Sequence, residues 1–247
     1  MLERAHLIVV PDEGALALRV AEHTLDAARA AFARHGRFDV ALAGGSTPKA
    51  AYALLAQPPL RDAIDWSRVR FFFGDERCVP PDDDQSNYKM ARLALLEPLG
   101  IAAANVFRME GEREPAAAAA AYADVLRAEL DTDDRGLPRF DLVMLGMGPD
   151  GHTASLFPGS DPFADDDALV RAPFVAKFDT HRITLTPSAI NAAREVALAT
   201  AGPAKTDALA AVLLGPRDPQ TYPAQILGPR AGVLTWLVDE AAAAKIR

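Results

Sequence analysis

Short apolar runs that stop abruptly at glycine or charge recur along this 247-residue chain, and stretches with helical spacing stand between them. Leu7 to Val10, Val40 to Ala43, Val69 to Phe73, Leu142 to Leu145, Val196 to Thr200 and Val233 to Val238 are such runs. Their length and near-continuous apolarity predict strands buried on both faces. After the first, Leu18, Leu25 and Phe32 repeat every seven residues on one face of a predicted helix. Asp12 is placed to cap its start, and Gly36 to end it just beyond Arg34. Further helices are expected from Thr47 as N-cap with Pro48 as first helical residue, and from Ser86 to Gly100 with Tyr88, Ala91, Leu95 and Leu99 on one side. Others are expected from about Pro115 to Leu130, around Ile190, from Lys205 through Leu213, and at the C-terminus. Val106 marks one more short strand, and Val170 to Val175 and Arg182 to Leu185 two others. The alternation predicts an α/β fold: a three-layer, mostly parallel, Rossmann-like sheet with helices on both faces. A small β-containing subdomain is expected around residues 170 to 186. No linker or composition shift divides the chain, so residues 1–247 read as a single domain.

In a parallel sheet the C-terminal ends of the strands share one edge, and ligands bind there. Four such exits carry glycine or polar groups: Gly44, Gly45, Ser46 and Thr47; Asp75, Glu76 and Arg77; Gly148 to His152; and Gly202 to Lys205. In the first and last, glycines at a strand-to-helix turn expose N–H groups at a helix N-terminus, which suits an anion. Lys205 stands in the first turn of its helix, where the dipole disfavours a cation; a bound anion would resolve that conflict. In the third exit an acid, Asp150, and an imidazole, His152, lie two residues apart and can act on one small molecule.

Gly146, Gly148 and Gly151 form a formal G-x-G-x-x-G. Pro149 interrupts it, Asp150 would face any pyrophosphate, and the acids downstream, Asp165 to Asp167, follow no apolar strand. Dinucleotide binding is therefore not expected. The G-x-S-x-G elbow and H-E-x-x-H motif are missing, and Cys78 is the only cysteine, so neither a serine-hydrolase mechanism nor a metal site is expected. A net charge of −8 without a basic cluster argues against nucleic acid. Without a leader-like N-terminus or an 18-residue apolar window, no membrane is expected as partner, and a cytoplasmic location is. The four exits together suit a small phosphorylated substrate undergoing proton transfer or hydrolysis.

GGSTP at 44–48, GDERCVPPDDDQSNY at 74–88, GMGPDGHTASLFPGS at 146–160, RITLTPSAIN at 182–191 and GPAK at 202–205 resemble the 6-phosphogluconolactonases, in the same order along nearly the whole chain. The resemblance implies hydrolysis of 6-phospho-D-glucono-1,5-lactone to 6-phospho-D-gluconate, the second step of the oxidative pentose phosphate pathway. It makes a phosphorylated sugar lactone the partner and calls for no cofactor. A neutral histidine suits both proton transfers of that reaction, so His152 is the expected base and then acid, with Asp150 orienting it or binding a sugar hydroxyl and Asp75 a further catalytic group. Gly44, Gly45, Ser46, Thr47, Arg182 and Lys205 are the expected phosphate contacts, and Arg77 is expected near the phosphate or the carbonyl. Gly148 and the other loop glycines offer N–H groups to an oxyanion. A monomer or weak homo-oligomer is expected. Two rival readings remain. Related glucosamine-6-phosphate deaminases carry a glutamate where this chain has Phe157, and an Asp-Glu-Tyr-type motif where it has Asp75, Glu76 and Arg77. A non-catalytic sugar-phosphate sensor would be expected to carry a DNA-binding segment, and the chain starts directly with a strand.

Overall fold

Six parallel strands make the central sheet of the computed structural model, which describes residues 5–159 and 168–246. The strands are β1 (Ala5–Val10), β2 (Phe38–Leu42), β3 (Val69–Phe73), β4 (Asp75–Arg77), β5 (Leu142–Gly146), β6 (Val170–Arg171), β7 (Phe174–Val175), β8 (Thr180–Leu185), β9 (Glu195–Thr200) and β10 (Val233–Asp239). The helices are α1 (Glu13–His35), α2 (Ser46–Leu55), α3 (Asn87–Ala91), α4 (Pro115–Glu129), α5 (Pro187–Asn191) and α6 (Thr206–Leu214). The central sheet runs β1-β10-β9-β5-β2-β3, with every neighbouring pair parallel. Successive strand residues point to opposite faces. All of Phe38 to Leu42 and all of Val196 to Thr200 are nevertheless buried, so both faces of the sheet are covered. The expected α/β architecture is the one observed.

Chain order decides where the sheet opens. From β2 the chain moves outward to β3, then returns to the other side of β2 as β5 and continues through β9 to β10. The direction of travel reverses between β2 and β5. Their connections leave on opposite sides, and the crevice at their C-terminal ends stays open.

Several local expectations changed. Asp12 caps α1 through Oδ1, which accepts from the Ala15 N–H at 2.8 Å, and Gly36 ends it with φ of 88°. The buried stripe, however, is Leu16, Val20, Ala21, Thr24, Leu25, Ala28 and Ala31, and Leu18 is 43% exposed. Small alanines let α1 lie close against α2 and the sheet, and a seven-residue repeat drifts off a straight helix's contact line. The predicted helix from 86 to 100 is α3 opening into a wide turn over Arg92–Leu96, closed by the Glu97 N–H donating to the Arg92 carbonyl at 2.9 Å. Val106 forms only a single bridge with Phe71, and the C-terminal helix is a short 3₁₀ turn, Ala242–Lys245.

The predicted strand from 170 to 175 is split at Pro173, which has no N–H for the ladder. Its halves, β6 and β7, both pair with β8. The charged exit of β3 is itself a short strand, β4, and it too pairs antiparallel with β8. The Leu185 N–H donates to the Gly74 carbonyl at 2.9 Å, so this second, antiparallel sheet is tied to the end of β3. The motif end at Ser160 and the predicted polar run Asp165–Asp167 lie outside the described residues.

Candidate active site

A cleft of about 270 Å³ lies over the crevice between β2 and β5. Gly44, Gly45, Ser46, Thr47, Asp75, Arg77, Gly148, His152 and Lys205 all line it. The four strand exits therefore converge, as their position at the C-terminal edge requires.

The exit of β2 builds a cradle. Gly45, not Thr47, is the N-cap of α2, with φ of 106° that side-chain-bearing residues rarely adopt. No side chain caps this helix, so its first N–H groups lack intrahelical partners and Ser46 and Thr47 line the cleft from inside its first turn. Gly44 is a glycine for a different reason. A Cβ there would lie 2.0 Å from Oδ1 of Asn87.

Asn87 in turn holds Asp75. Its amide donates to Asp75 Oδ1 at 3.1 Å and to the Asp75 carbonyl at 2.9 Å, while the Ser155 hydroxyl donates to Asp75 Oδ2 at 2.7 Å. The carboxylate reaching the cleft from β4 thus has both oxygens fixed. Glu76 belongs to the support. It is buried and accepts from the N–H groups of Arg77, Asn87 and Tyr88 and from the Ser86 hydroxyl, at 2.7 to 3.0 Å. Burial pushes its carboxyl above the usual carboxylate range despite those donors. Arg77 donates to the Gln85 carbonyl from the cleft wall.

The exit of β5 makes the sharpest feature. The Gly148 N–H donates to the His152 carbonyl at 2.9 Å and the Gly151 N–H to the Gly148 carbonyl at 3.0 Å, with Gly151 at φ of 75°. These glycines close a tight loop; the Gly148 N–H is spent inside it and does not point at a ligand. On that loop His152 Nδ1 lies 2.5 Å from Asp150 Oδ1. A Cβ on Gly148 would fall 2.0 Å from His152 Nδ1, so the imidazole packs directly on the glycine Cα. The ring also packs against Phe157, with centroids 4.2 Å apart. Lys177 reaches the far oxygen, Asp150 Oδ2, at 3.0 Å. Burial pushes the Asp150 carboxyl up, but the hydrogen bonds with His152 and Lys177 outweigh it and hold it at about 2.

Lys205 ends a 3₁₀ turn, Pro203–Lys205, directly ahead of α6. Burial pushes its ammonium below the ordinary lysine value, and the Asp150 charge opposes this. No described residue hydrogen-bonds its Nζ, so a cation stands in the cleft without a direct partner. Arg182 does not line the cleft. It is buried on β8 opposite Arg77, with its guanidinium 5.2 Å over the Phe178 ring and its Nε and Nη1 unpartnered. Burial and then the Arg77 charge push it below its ordinary value.

Lys177, Asn87 and Ser155 were not legible as site residues. Asn87 and Ser155 sit inside motifs quoted above, yet nothing in their spacing points to Asp75. Lys177 lies 27 residues beyond Asp150, in the turn between β7 and β8 of the other sheet. Among the described residues no group of three or more histidine, cysteine or acidic side chains is placed to hold a metal ion, and no helix is long and apolar enough to cross a membrane.

The site thus sets an ionised carboxylate and an imidazole beside a helix N-terminus and a lone ammonium. Such a set can move protons at one end of a small anion while holding its charge at the other. The family model for glucosamine-6-phosphate isomerases/6-phosphogluconolactonase matches residues 11–236. A 6-phosphogluconolactonase of Nostoc sp. is 39% identical across 96% of this chain and 97% of its own length. That of Treponema pallidum is 42% identical across 78% of this chain and 79% of its own. The solved structure of 6-phosphogluconolactonase from Trypanosoma brucei superposes with a TM-score of 0.87 at 30% identity, covering 99% of both chains.

Proposed function

The chain belongs to the glucosamine-6-phosphate isomerase/6-phosphogluconolactonase family, and on that premise we infer that it is a lactone hydrolase, opening 6-phospho-D-glucono-1,5-lactone to 6-phospho-D-gluconate in the oxidative pentose phosphate pathway. The observation that carries the mechanism is the 2.5 Å contact between Asp150 and Nδ1 of His152, the member of the pair that lines the cleft. An ionised Asp150 accepts the Nδ1 hydrogen and leaves the Nε2 lone pair free. His152 then takes a proton from the water that attacks the lactone carbonyl and returns it to the ring oxygen as that oxygen leaves. Lys205 and the N-terminus of α2, with Ser46 and Thr47, hold the phosphate. Arg77 sits on the same cleft wall and serves the phosphate or the developing oxyanion. Asp75, fixed by Asn87 and Ser155, accepts from a sugar hydroxyl. Phe157 packs on the imidazole where deamination would call for an acid, which supports hydrolysis over ring opening. The enzyme works without a metal, in the cytoplasm, as a monomer or weak homo-oligomer.

The test is His152→Ala, assayed with lactone generated in the cuvette and the spontaneous rate subtracted. Turnover should fall by roughly 10²–10⁴-fold, the usual contribution of general acid–base catalysis, while 6-phosphogluconate still binds. Near-normal kcat would sink the mechanism. Loss of product binding together with a lowered Tm would make the histidine structural.

A further inference from the structure

Lys177 is not part of the reacting set described above, yet the fold spends two contacts on placing it. It stands in the short turn Ala176–Phe178 that links β7 to β8, and Asp179 ends that turn at φ of 49°. Phe178, next to it, packs edge-on against Phe157 with centroids 5.6 Å apart, and Phe157 covers the imidazole of His152. The second sheet is thereby docked on the β5 loop through an aromatic stack, and the same docking delivers Lys177 Nζ to Asp150 Oδ2. A lysine whose side chain is 56% exposed had ample room to point into solvent instead.

We propose that Lys177 is a positioning residue for the reaction inferred above: it clamps Asp150 from the side opposite His152, fixing the carboxylate plane and limiting how strongly that carboxylate draws a proton onto the imidazole. The geometry divides Asp150 cleanly. Oδ1 serves Nδ1 of the histidine, and Oδ2 serves the lysine. Without the lysine, Oδ2 loses its partner, only the contacts with His152 still hold the carboxylate, and its full charge falls on the ring. An imidazolium is then favoured over the neutral imidazole that must act as base. The other charged groups near the pair, among the described residues, are Lys205 and Glu13 on the β9 side of the cleft and, across it, Asp75 and Arg77. None of these is hydrogen-bonded to Asp150 Oδ2, so Lys177 has no substitute in that position.

The experiment compares wild type, Lys177→Met and Lys177→Arg in pH–rate profiles with the phosphorylated lactone, alongside an NMR titration of the His152 ring in the absence of substrate. Removing one charge from a half-solvated site shifts a neighbouring titration by roughly half a pH unit. The acid limb of the Lys177→Met profile should therefore move to higher pH by about that much, with the ring titration moving equally. At pH 6 kcat should drop about threefold more than at pH 8, KM should change little, and Lys177→Arg should restore the limb. An unmoved limb and ring titration would overturn the clamp, as would a rise in KM for the phosphorylated lactone with the limb in place, which would make Lys177 a substrate ligand. The ring titration needs no turnover. Were His152 not the base, the His152→Ala assay would fail separately and the titration would still decide the role of Lys177.

Discussion

The site depends on a hydrogen atom at Gly148, and replacing it gives the most direct check of the geometry. Gly148 has no left-handed φ, so alanine costs nothing in backbone strain there. The new Cβ would stand 2.0 Å from Nδ1 and 2.1 Å from Cε1 of His152, and 2.7 Å from Asp150 Oδ1. Because contacts shorter than 3.0 Å are essentially never seen, the imidazole must retreat by about 1 Å or more. For the base proposed above, a displacement of that size costs on the order of 10²-fold in rate, about 2.7 kcal/mol of transition-state stabilisation. Complete loss of the base sets the ceiling at roughly 10⁴-fold. Both displaced side chains are partly exposed and can swing outward, so stability should change by no more than about 1 kcal/mol, a Tm shift of roughly 2–4 °C at this length. Gly228→Ala is the matched control, since a Cβ there meets nothing within 4 Å. The assay is steady-state turnover on freshly generated lactone, with Tm and 6-phosphogluconate affinity measured on the same preparations. Gly148→Ala with wild-type kcat would refute the argument that the imidazole is seated against this glycine and works from that position.

Two further outcomes follow from the charges in the cleft. Lys205→Ala should raise KM for the phosphorylated lactone by roughly 10–100-fold, the worth of one charge-assisted hydrogen bond, and leave residual activity toward unphosphorylated gluconolactone nearly unchanged; equal losses on both substrates would remove Lys205 from the phosphate. Asp150 has a carboxyl held at about 2 in the folded chain, against about 3.9 when unfolded, so its interactions stabilise the fold above about pH 4 and are lost as pH falls toward 2. In denaturant melts the stability difference between wild type and Asp150→Asn should shrink across that window, and a difference that stays constant down to pH 2 would contradict the assignment.

The sheet edge was legible from sequence because strand burial is a local property. Apolar runs such as Leu142 to Leu145 and Val196 to Thr200 announce strands covered on both faces, and the glycine and polar residues after them mark where the strands stop. Once the strands are known to be parallel, convergence of Ser46, Asp75, His152 and Lys205 at one edge follows without coordinates. The pairing of Asp150 with His152 was equally accessible, because two residues of separation in a tight loop bring side chains together. What the chain could not disclose locally was decided by packing between distant segments. Asp75 is fixed by Ser155, 80 positions away. Lys177 reaches Asp150 only because the antiparallel sheet docks through Phe178 and Phe157. Arg182, expected at the phosphate, stands opposite Arg77 through the register of β4 on β8 and does not line the cleft. Register between strands brought together over a hundred residues of chain depends on the whole core, and no spacing within a motif records it.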